Sequence, residues 1–446
     1  MIAEEQKGFI EELKTALANG NLLAMSEELK SLHEADIAEI IDDLPLQNAL
    51  QLIRLFEEEK AAEILVELDE ELRDKIIEQL SPKEIAEIVI DNLDSDDAAD
   101  IMGELSEEKI NEVISQMEDE EHAKSIVQLL NYDEDSAGGL MASELIKVNE
   151  DLTVLTCVRE MRRQAEKVEE VHTIYVVDEE DKLLGTLSLK KLLTFPTKTK
   201  ISELYNPKVI SVQAEEKAEA VAQIFRKYDL VVLPVVSAEG RLLGRITVDD
   251  VVDVMQEEAE RDYQLASGLS EDVESDDSIF LLTRARLPWL LVGMFGGIMG
   301  AQVIGIFDLE KHYQLAYFIP LIAATGGNVG VQSAAIIVQG LANQSLKGGM
   351  LRRLYKEFLL GLLNGIFCAA IIFGVCKVMS LSLMFAATVS LALFSVIIFA
   401  ALVGTFVPLT LNKYNIDPAL ATGPFITTLN DVVGLFIYFT IGNLLM

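Results

Sequence analysis

The pattern of hydrophobic and polar residues changes twice along the chain. Up to about residue 130, small and aliphatic residues recur at i, i+3, i+4 and i+7 with carboxylates on the opposite face, which is typical of amphipathic helices. Short apolar runs separated by acidic or glycine-containing turns follow over residues 137–255 and predict strands combined with helices. From about residue 279 onwards, long apolar runs dominate. The pattern therefore predicts a multidomain protein with an all-α superhelical N-terminal domain, an α/β region and an all-α membrane domain.

A helical unit recurs within residues 1–130. Its copies run from Ala35 to Leu44, Ala61 to Leu68, Ile85 to Leu93 and Ala98 to Leu105. Repetition on this scale predicts stacked helix pairs, in which each unit buries its apolar face against its neighbour. Asp96 and Asp100 lie four residues apart on one face, where like charges repel unless a cation bridges them. A solvated acidic face is the alternative interpretation of these carboxylates.

Residues 137–255 contain an internal repeat with a constant offset of 59 residues, which aligns Ile174–Ser188 with Leu233–Thr247. Each copy predicts two strands and a helix, preceded by an amphipathic helix. The two copies resemble a pair of CBS domains (cystathionine-β-synthase modules), a family in which such pairs often bind adenine nucleotides as regulatory ligands. The ribose-binding pattern of that family, Gly-x-x-Thr/Ser-x-x-Asp, is matched by Gly244, Thr247 and Asp250 in the second copy.

The first copy matches this pattern with Gly185 and Ser188, but it has Lys191 in place of the aspartate. The resemblance therefore implies one nucleotide site, in the second copy, with ATP as a regulatory ligand. An aspartate directly after a strand, such as Asp250, is also suited to capping the N-terminus of a helix. Both interpretations of Asp250 stay open at this point.

An acidic segment, residues 251–278, connects the α/β repeat to the apolar runs. Val251 to about Leu269 predicts one continuous polar helix, and a flexible stretch from Glu271 to Ser278 follows it. Such a helix can transmit a movement of the preceding domains to the membrane. A solvated connector helix is the alternative.

Residues 279–446 contain five apolar runs that are long enough to cross a bilayer as helices. The runs are approximately Leu287–Phe307, Ala316–Leu341, Phe358–Met379, Leu383–Leu409 and Ala419–Met446. Five spans place the two termini on opposite sides of the membrane. The start of the chain lacks the basic and apolar regions of a signal peptide, so we expect the N-terminus in the cytoplasm and the C-terminus outside.

The basic residues of this region support the same orientation. With a cytoplasmic N-terminus, Lys311 and Lys377 fall outside and the other basic residues fall inside, in accordance with the positive-inside rule. The inside residues are Arg284, Arg286, Lys347, Arg352, Arg353, Lys356 and Lys413. We therefore expect a multi-pass protein of the plasma membrane that is surrounded by lipid.

Charge is divided between the same regions. Of the 73 acidic and 36 basic residues, 5 and 9 lie from Ile279 onwards, so the upstream region carries −41 and the membrane region +4 within the total of −37. A field of this sign repels nucleic acid and attracts cations. We expect no nucleic-acid partner. An enzyme is not expected either, because the four histidines are scattered and the three cysteines show no metal-ligand spacing.

Asp431 is the acidic residue that the predicted spans contain, and no second acid lies within their limits. A transmembrane carboxylate is costly and usually faces a partner, a water-filled cavity or an ion path. Gly423, Thr427 and Asp431 are spaced at i, i+4 and i+8 and form one stripe, and the glycine-rich second span adds Asn328. Oxygen ligands without His or Cys suit a hard cation. The residues predict a cation pathway, and oxygen chemistry alone leaves Mg²⁺, Mn²⁺, Co²⁺ and Ca²⁺ open.

Two motifs in the spans carry a resemblance that covers nearly the whole chain. Pro320 is followed by TGGNVGVQS at residues 325–333, and DPA at residues 417–419 is followed by NDV at residues 430–432. Together with the order of an acidic helical repeat, a CBS pair, an acidic linker helix and five spans, these motifs resemble the MgtE family of magnesium channels. The resemblance implies a homodimer with one central pore, in which Mg²⁺ meets Asp431 of both subunits together with Gly423, Thr427 and Asn328.

The resemblance also implies gating by intracellular Mg²⁺. Ions bound between the helical repeat, the CBS pair and the linker helix draw acidic surfaces together and close the pore. Lys217 and Arg261 are basic where some relatives carry acids, which leaves the number of sensor ions open. By motif position, the candidate sensor residues are Asp96, Asp100, Glu219, Asp229, Asp250, Asp253, Glu258 and Asp262.

The sequence therefore predicts a Mg²⁺-selective channel for magnesium uptake that bound Mg²⁺ closes. A channel for another divalent ion, or for several, is one alternative. A membrane-tethered CBS sensor that moves no ion is the other, and it leaves Asp431 without a role.

Overall fold

The computed structural model describes residues 29–165, 168, 171–271, 273, 277–307, 313–343, 345–346, 348–421 and 423–446. The expectations for residues 1–28 and for Lys311 and Lys347 lie outside this part of the chain. The chain forms two compact units, Met1–Gln256 and Glu257–Met446.

The first unit begins with short helices whose apolar faces form a continuous core. They are α1 (Glu34–Asp42), α2 (Leu46–Ile53), α3 (Glu58–Val66), α4 (Glu70–Gln79), α5 (Pro82–Glu84), α6 (Ser95–Gly103), α7 (Glu107–Ile114) and α8 (Glu120–Leu129). Aliphatic residues at equivalent places in the repeat, among them Ile37, Ile64 and Ile101, are almost fully buried. The side chains of Ser106 and Asp119 cap α7 and α8 by accepting backbone N–H groups. The predicted all-α N-terminal architecture is confirmed.

Two three-stranded sheets follow, one from each copy of the α/β repeat. Their elements are β1 (Ile146–Asn149), α9 (Val154–Gln164), β2 (Ile174–Val177), β3 (Leu183–Leu187) and α10 (Leu189–Thr194), then β4 (Val212–Gln213), α11 (Ala218–Tyr228), β5 (Val232–Val236) and β6 (Leu242–Thr247). In both sheets the middle strand pairs in parallel with the first strand and antiparallel with the third. The pairs Ile174↔Leu187 and Leu233↔Ile246 preserve the offset seen in the sequence. The predicted tandem α/β architecture is confirmed, and β1 and β4 are additions to it.

A long helix, α12 (Val248–Ser267), follows β6 directly, and its residues from Glu257 onwards belong to the second unit. Five further helices are long and apolar enough to cross a membrane. They are α13 (Ile279–Ile306), α14 (Ile319–Ala342), α15 (Met350–Val378), α16 (Leu383–Lys413) and α17 (Gly423–Leu445). The prediction of five apolar helices is confirmed.

Four of these helices differ by four residues or more from the approximate runs predicted, and α16 does so by continuing to Lys413. Helices α13 and α15 both begin eight residues before the predicted spans, at Ile279 and Met350. Long basic side chains near these starts are compatible with a helix, because they extend to the membrane surface while the backbone stays helical. Helix α17 begins four residues late, at Gly423, because Pro418–Ala421 form a 3₁₀ turn.

Helix α16 is the most buried of the five spanning helices. It packs closely against α15 because glycines of α15 face it: a Cβ atom at Gly361 would lie 3.3 Å from Cβ of Ala401, and one at Gly365 would lie 2.8 Å from the ring of Phe394. Small residues at such crossings allow helix backbones to approach within a membrane. Helix α14 packs directly against both α16 and α17.

Candidate cation pathway and acidic site

The predicted pore stripe lies along one half-buried face of α17. Its three residues are Gly423, Thr427 and Asp431. The Thr427 hydroxyl donates within its own helix, with the carbonyl oxygens of Gly423 and Pro424 at 3.2 and 3.0 Å. The proton of this hydroxyl is therefore engaged within the first turn of α17.

Helix α14 packs against this stripe through a glycine. A Cβ atom at Gly327 would lie 3.5 Å from Cγ2 of Thr427 and 3.7 Å from Oδ1 of Asp431. Asn328, the next residue, is exposed on the surface of the protomer. The structure therefore brings Thr427 and Asp431 against the glycine-rich segment of α14, and it does not place Asn328 in the same contact.

Asn430 belongs to the NDV motif of the last span but was not among the predicted site residues. It is 1 % exposed, and within the described part of the chain neither polar atom of its amide has a hydrogen-bond partner. Its Nδ2 lies against Gly330 so closely that a Cβ atom at Gly330 would overlap it. The motif around Asp431 therefore contains a carboxylate on one face of α17 and a buried amide on the adjacent face.

A second acid lies in a helix of spanning length, outside the apolar runs that the sequence predicts. Glu357 lies in α15, which begins at Met350 and not near Phe358. Its Oε1 accepts a hydrogen bond of 2.6 Å from the hydroxyl of Ser333 in α14. Glu357 was missed because it directly precedes the apolar run.

The start of α17 contacts the end of α12. Gly423 has a φ of +51°, and its backbone lies against the carbonyl oxygen of Ala266. A Cβ atom at Gly268, where φ is +83°, would lie 2.6 Å from Cγ of Pro424. The end of the linker helix is thereby packed on the first turn of the helix that carries Asp431.

An acidic site in the first unit brings together three of the predicted sensor residues. Asp96 and Asp97 of α6 both lie near Asp250 of α12, and Asp100 acts electrostatically on Asp97. Burial, then the charges of Asp97 and Asp250, raise the pKa of Asp96 well above its usual value. Burial, then the charge of Asp250, raise the pKa of Asp97 to about 7. Carboxylates that resist ionisation together are poised to accept protons or a cation.

The other candidate sensor residues lie apart from this site or in the second unit. Glu219 is exposed on α11, and Asp229 caps the end of that helix with a φ of +51°. Asp253 lies on α12, where burial and the charge of Asp249 raise its pKa. Glu258 pairs with Arg261 at 3.8 Å, and Asp262 is partly buried farther along α12. Within the described ranges, no three acidic, histidine or cysteine side chains are grouped closely enough to hold a metal ion.

A basic residue and a histidine join the helical repeat to the α/β repeat around the acidic site. Arg245 of β6 pairs with Asp94 at 3.1 Å, and its side chain is only 8 % exposed. His122 of α8 places Nδ1 3.6 Å from Oε1 of Glu144 and Nε2 3.1 Å from the carbonyl oxygen of Ile90. Sequence reasoning missed these contacts because each joins residues that are distant along the chain.

The predicted nucleotide residues make local contacts. Thr247 donates from its backbone N–H and its hydroxyl to Oδ2 of Asp250, at 3.0 and 2.6 Å, so the carboxylate caps the start of α12. A Cβ atom at Gly244 would lie 2.5 Å from the carbonyl oxygen of Ala142. In the first copy, Lys191 donates to the carbonyl oxygen of Leu204. Asp250 is therefore not the N-cap residue of α12: it lies in the first turn of the helix, and its carboxylate binds back to Thr247.

A small pocket lies between the two α/β copies. It is lined by Leu145, Ile146, Val168, Val171, His172, Thr173, Tyr175, Val232 and Arg245. The buried Tyr175 hydroxyl and Arg245 Nε have no hydrogen-bond partner within the described residues. The pocket thus offers two unsatisfied polar groups in an otherwise mainly apolar lining.

Five helices of spanning length, carboxylates within them and a tandem α/β repeat define the class of this molecule: a multi-pass membrane protein of the cation-transport type with an attached helical and α/β region. Family comparisons agree. Residues 319–441 match MgtE, a divalent cation transporter family; residues 32–135 match the MgtE intracellular N domain; and residues 137–197 and 201–257 match the CBS domain. The chain belongs to the MgtE family.

Individual relatives support the same assignment. The magnesium transporter MgtE of Thermus thermophilus is 35 % identical over 440 residues, which cover 97 % of this chain and 98 % of that protein. The magnesium transporter MgtE of Bacillus subtilis is 30 % identical over 430 residues, covering 96 % and 95 %. A crystal structure of the cytosolic domain of the Mg²⁺ channel MgtE in complex with ATP is 36 % identical, covers 55 % of this chain and 99 % of its own, and superposes with a TM-score of 0.51.

Proposed function

We propose that this protein is a homodimeric, Mg²⁺-selective channel for magnesium uptake that intracellular Mg²⁺ closes. The observation that carries the proposal is the stripe of Gly423, Thr427 and Asp431, in which Thr427 and Asp431 face Gly327 across a close helix contact. Relatives at 30 and 35 % identity that are named magnesium transporters support the choice of ion.

The chemistry of Mg²⁺ suits this stripe. Mg²⁺ gives up its water reluctantly, and proteins often hold it through one or two carboxylates while several waters stay bound. Two subunits around one axis supply two Asp431 carboxylates, and the Thr427 hydroxyl and the Gly423 carbonyl oxygen supply neutral oxygens one and two turns away. Asn328, exposed on the protomer, is proposed to contact the hydrated ion from α14. Lipid surrounds the outer helices, with the N-terminus in the cytoplasm and the C-terminus outside.

Gating is proposed to act through the acidic site and the linker. The parts are the helical N domain (residues 1–130), the CBS pair (137–255), the linker (251–278) and the membrane domain (279–446). Mutual repulsion of Asp96, Asp97 and Asp250 opposes their close approach, and bound Mg²⁺ removes that repulsion. Mg²⁺ shifts the equilibrium only by its greater affinity for the compact arrangement, which we assign to the closed channel. The remaining proposed sensor positions are Asp100, Glu219, Asp229, Asp253, Glu258 and Asp262.

ATP is proposed as a regulatory ligand of the CBS pair. A related cytosolic domain has been crystallised with ATP. Tyr175 and Arg245 line the pocket between the two copies, and Arg245 directly follows Gly244 of the ribose-binding pattern. Because Arg245 also pairs with Asp94, a ligand in this pocket would be coupled to the acidic site. Comparing the closing Mg²⁺ concentration with and without ATP tests this part.

Mg²⁺ entry into proteoliposomes that hold a Mg²⁺-sensitive dye tests transport. Asp431→Asn removes the charge at nearly constant volume, and Glu203→Gln, at an exposed site in the α/β repeat, removes one charge elsewhere. We expect entry with the wild type and Glu203→Gln and at least a tenfold loss with Asp431→Asn. Competition by Mn²⁺, Co²⁺ and Ca²⁺ measures selectivity. Equal entry with all three proteins would remove Asp431 from the mechanism, and entry with none of them would favour the sensor that moves no ion.

Entry at a series of internal Mg²⁺ concentrations tests gating. Asp96→Asn and Asp250→Asn remove proposed ligands, whereas Glu78→Gln removes an exposed carboxylate of α4. We expect only the first two variants to require more internal Mg²⁺ for closure. Closure at the same concentration in all variants would separate the acidic site from the gate.

A further inference from the structure

The second acid in the spanning helices has a specific partner in the helix that packs on the pore stripe. Glu357 is half-buried in α15, and Ser333 of α14, which is 4 % exposed, donates to its Oε1 at 2.6 Å. A distance this short is typical of a hydroxyl bound to a carboxylate, which is stronger than a bond between neutral groups. A half-buried carboxylate in a helix of this length is costly, and such residues usually mark a functional position.

Helix α14 is held at three successive levels. At one level Gly327 faces Thr427 and Asp431. Three residues farther along α14, Gly330 faces Ile426 and Asn430 of α17.

The third level is the hydrogen bond itself. Three residues beyond Gly330, Ser333 contacts two other helices: a Cβ atom at Gly404 of α16 would lie 3.0 Å from Cβ of Ser333, and Glu357 of α15 accepts its hydrogen bond. The packing at the first two levels involves glycines and is non-directional, whereas the bond to Glu357 is directional. The bond therefore fixes the rotation of α14 about its axis.

We propose that Glu357 is a positioning residue of the cation pathway: through Ser333 it fixes the rotation of α14, and so keeps Gly327 directed at Asp431. This inference rests on the proposed function. It differs from the simple view that polar residues only bind helices together. Positioning predicts an altered transport rate in a protein that still folds and assembles, and it predicts recovery when the hydrogen bond is preserved without the charge.

The test is a double-mutant cycle in the full-length protein. Mg²⁺ entry into dye-loaded proteoliposomes is measured over a range of external Mg²⁺, so that the maximal rate and the half-saturating concentration are obtained separately. The variants are Ser333→Ala, Glu357→Ala, the double variant, Glu357→Gln, which keeps an acceptor, and Ser333→Thr, which keeps the hydroxyl. Ser395→Ala is the matched control, because the Ser395 hydroxyl donates to Leu391 of its own helix.

We expect Ser333→Ala and Glu357→Ala each to lower the maximal rate about tenfold, and the double variant to be no worse than either, because both remove the same bond. Glu357→Gln and Ser333→Thr should stay within about threefold of the wild type, as should Ser395→Ala. Additive losses would overturn the inference, and so would a Glu357→Gln variant as impaired as Glu357→Ala.

Two further outcomes separate this inference from the proposed function. If the wild type transports Mg²⁺ and every variant matches it, the role of Glu357 is refuted and the channel remains. If the wild type transports no ion, the proposed function fails, and the positioning role fails with it. If Glu357→Ala does not assemble, Ser333→Ala alone provides the test, because it removes only one oxygen atom. An unchanged maximal rate of Mg²⁺ entry in Ser333→Ala would then refute the inference.

Discussion

Gly268 and Pro424 touch where the linker helix ends and the last spanning helix begins: a Cβ atom at Gly268 would lie 2.6 Å from Cγ of the proline. Gly268 has a φ of +83°, a left-handed conformation that glycine adopts without strain. Helix α17 carries Asp431 two turns farther on. The contact therefore joins the linker to the start of the pore stripe and leaves no room for a side chain.

Gly268→Ala should loosen this contact. The left-handed backbone costs a residue with a Cβ about 1–2 kcal/mol, and the overlap with Pro424 adds to this. If the contact belongs to the closed channel, the internal Mg²⁺ concentration needed for closure should rise about tenfold, which corresponds to about 1.4 kcal/mol. Mg²⁺ entry at graded internal Mg²⁺ measures the shift.

Gly240→Ala is the matched control for this prediction. Gly240 has a φ of +82° and open space around it, so alanine there meets the same backbone strain without an overlap. Equal closing concentrations for Gly268→Ala and Gly240→Ala would show that the contact with Pro424 does not act on the gate.

Gly330→Ala tests the packing behind the pore stripe. The added methyl group would overlap the Asn430 amide and lie 2.7 Å from Cγ2 of Ile426. Overpacking of a close contact typically costs about 1–3 kcal/mol. We expect the variant either to lose most Mg²⁺ entry or to unfold at a lower temperature. Gly374→Ala in α15, where nothing lies within 4 Å of the added atom, should match the wild type in both measurements.

The large-scale architecture could be predicted because it follows from local pattern. Apolar spacing indicated the helical repeat and the five spans, and the offset of 59 residues indicated two equivalent sheets. Strands β1 and β4 were not predicted, because four and two residues are too few to show a period, and parallel pairing at a distance supplies their hydrogen bonds.

The candidate site was predicted in part, and the missing residues share a physical cause. Asp431 and its stripe were visible because a charge stands out in an apolar run. Glu357, His122 and Arg245 were not, since their roles depend on partners 24, 22 and 151 residues away. A single sequence without structure does not reveal which of 73 acidic residues approach one another.

Arg245→Gln should weaken the contact between the two repeats of the first unit. It leaves Asp94 without its cation beside Asp96 and Asp97, and losing one partner of a largely buried pair costs about 2 kcal/mol or more. We expect faster hydrogen exchange in α6 without Mg²⁺. Added Mg²⁺ should restore protection by a larger factor than in the wild type, because the acidic site becomes more negative.

The exposed Arg241 provides the control, as Arg241→Gln changes the net charge equally. Equal exchange in the two variants, with and without Mg²⁺, would mean that Arg245 does not stabilise the acidic site.

His122 should make the stability of the first unit depend on pH. Both ring nitrogens face acceptors, the Glu144 carboxylate and the Ile90 carbonyl oxygen. Burial opposes the charged ring, but Glu144, Ile90 and nearby Asp91 outweigh it, so the pKa of His122 is raised. Burial likewise opposes ionisation of Glu144, but hydrogen bonds from His122 and Ser95 lower its pKa to about 2. Below the raised pKa of His122, the imidazolium ring and the Glu144 carboxylate are therefore both charged.

The sign of the effect follows from the raised pKa. The stabilisation is complete below the unfolded pKa of about 6.5 and is lost as the pH rises through the folded value. The ion pair with Glu144 and the hydrogen bond to the Ile90 carbonyl oxygen together contribute on the order of 1–2 kcal/mol. His122→Gln should therefore lower the unfolding temperature clearly at about pH 5.5 and much less at about pH 8.5. The carboxyl groups of Asp91, Asp96 and Asp97 also have raised pKa values and change the stability with pH in the same direction. They are present in both proteins, so the difference in unfolding temperature between wild type and variant reports on the histidine. His33→Gln, at an exposed histidine, is the control. If His122→Gln lowered the unfolding temperature equally at both pH values, the ring would act by packing and not by charge.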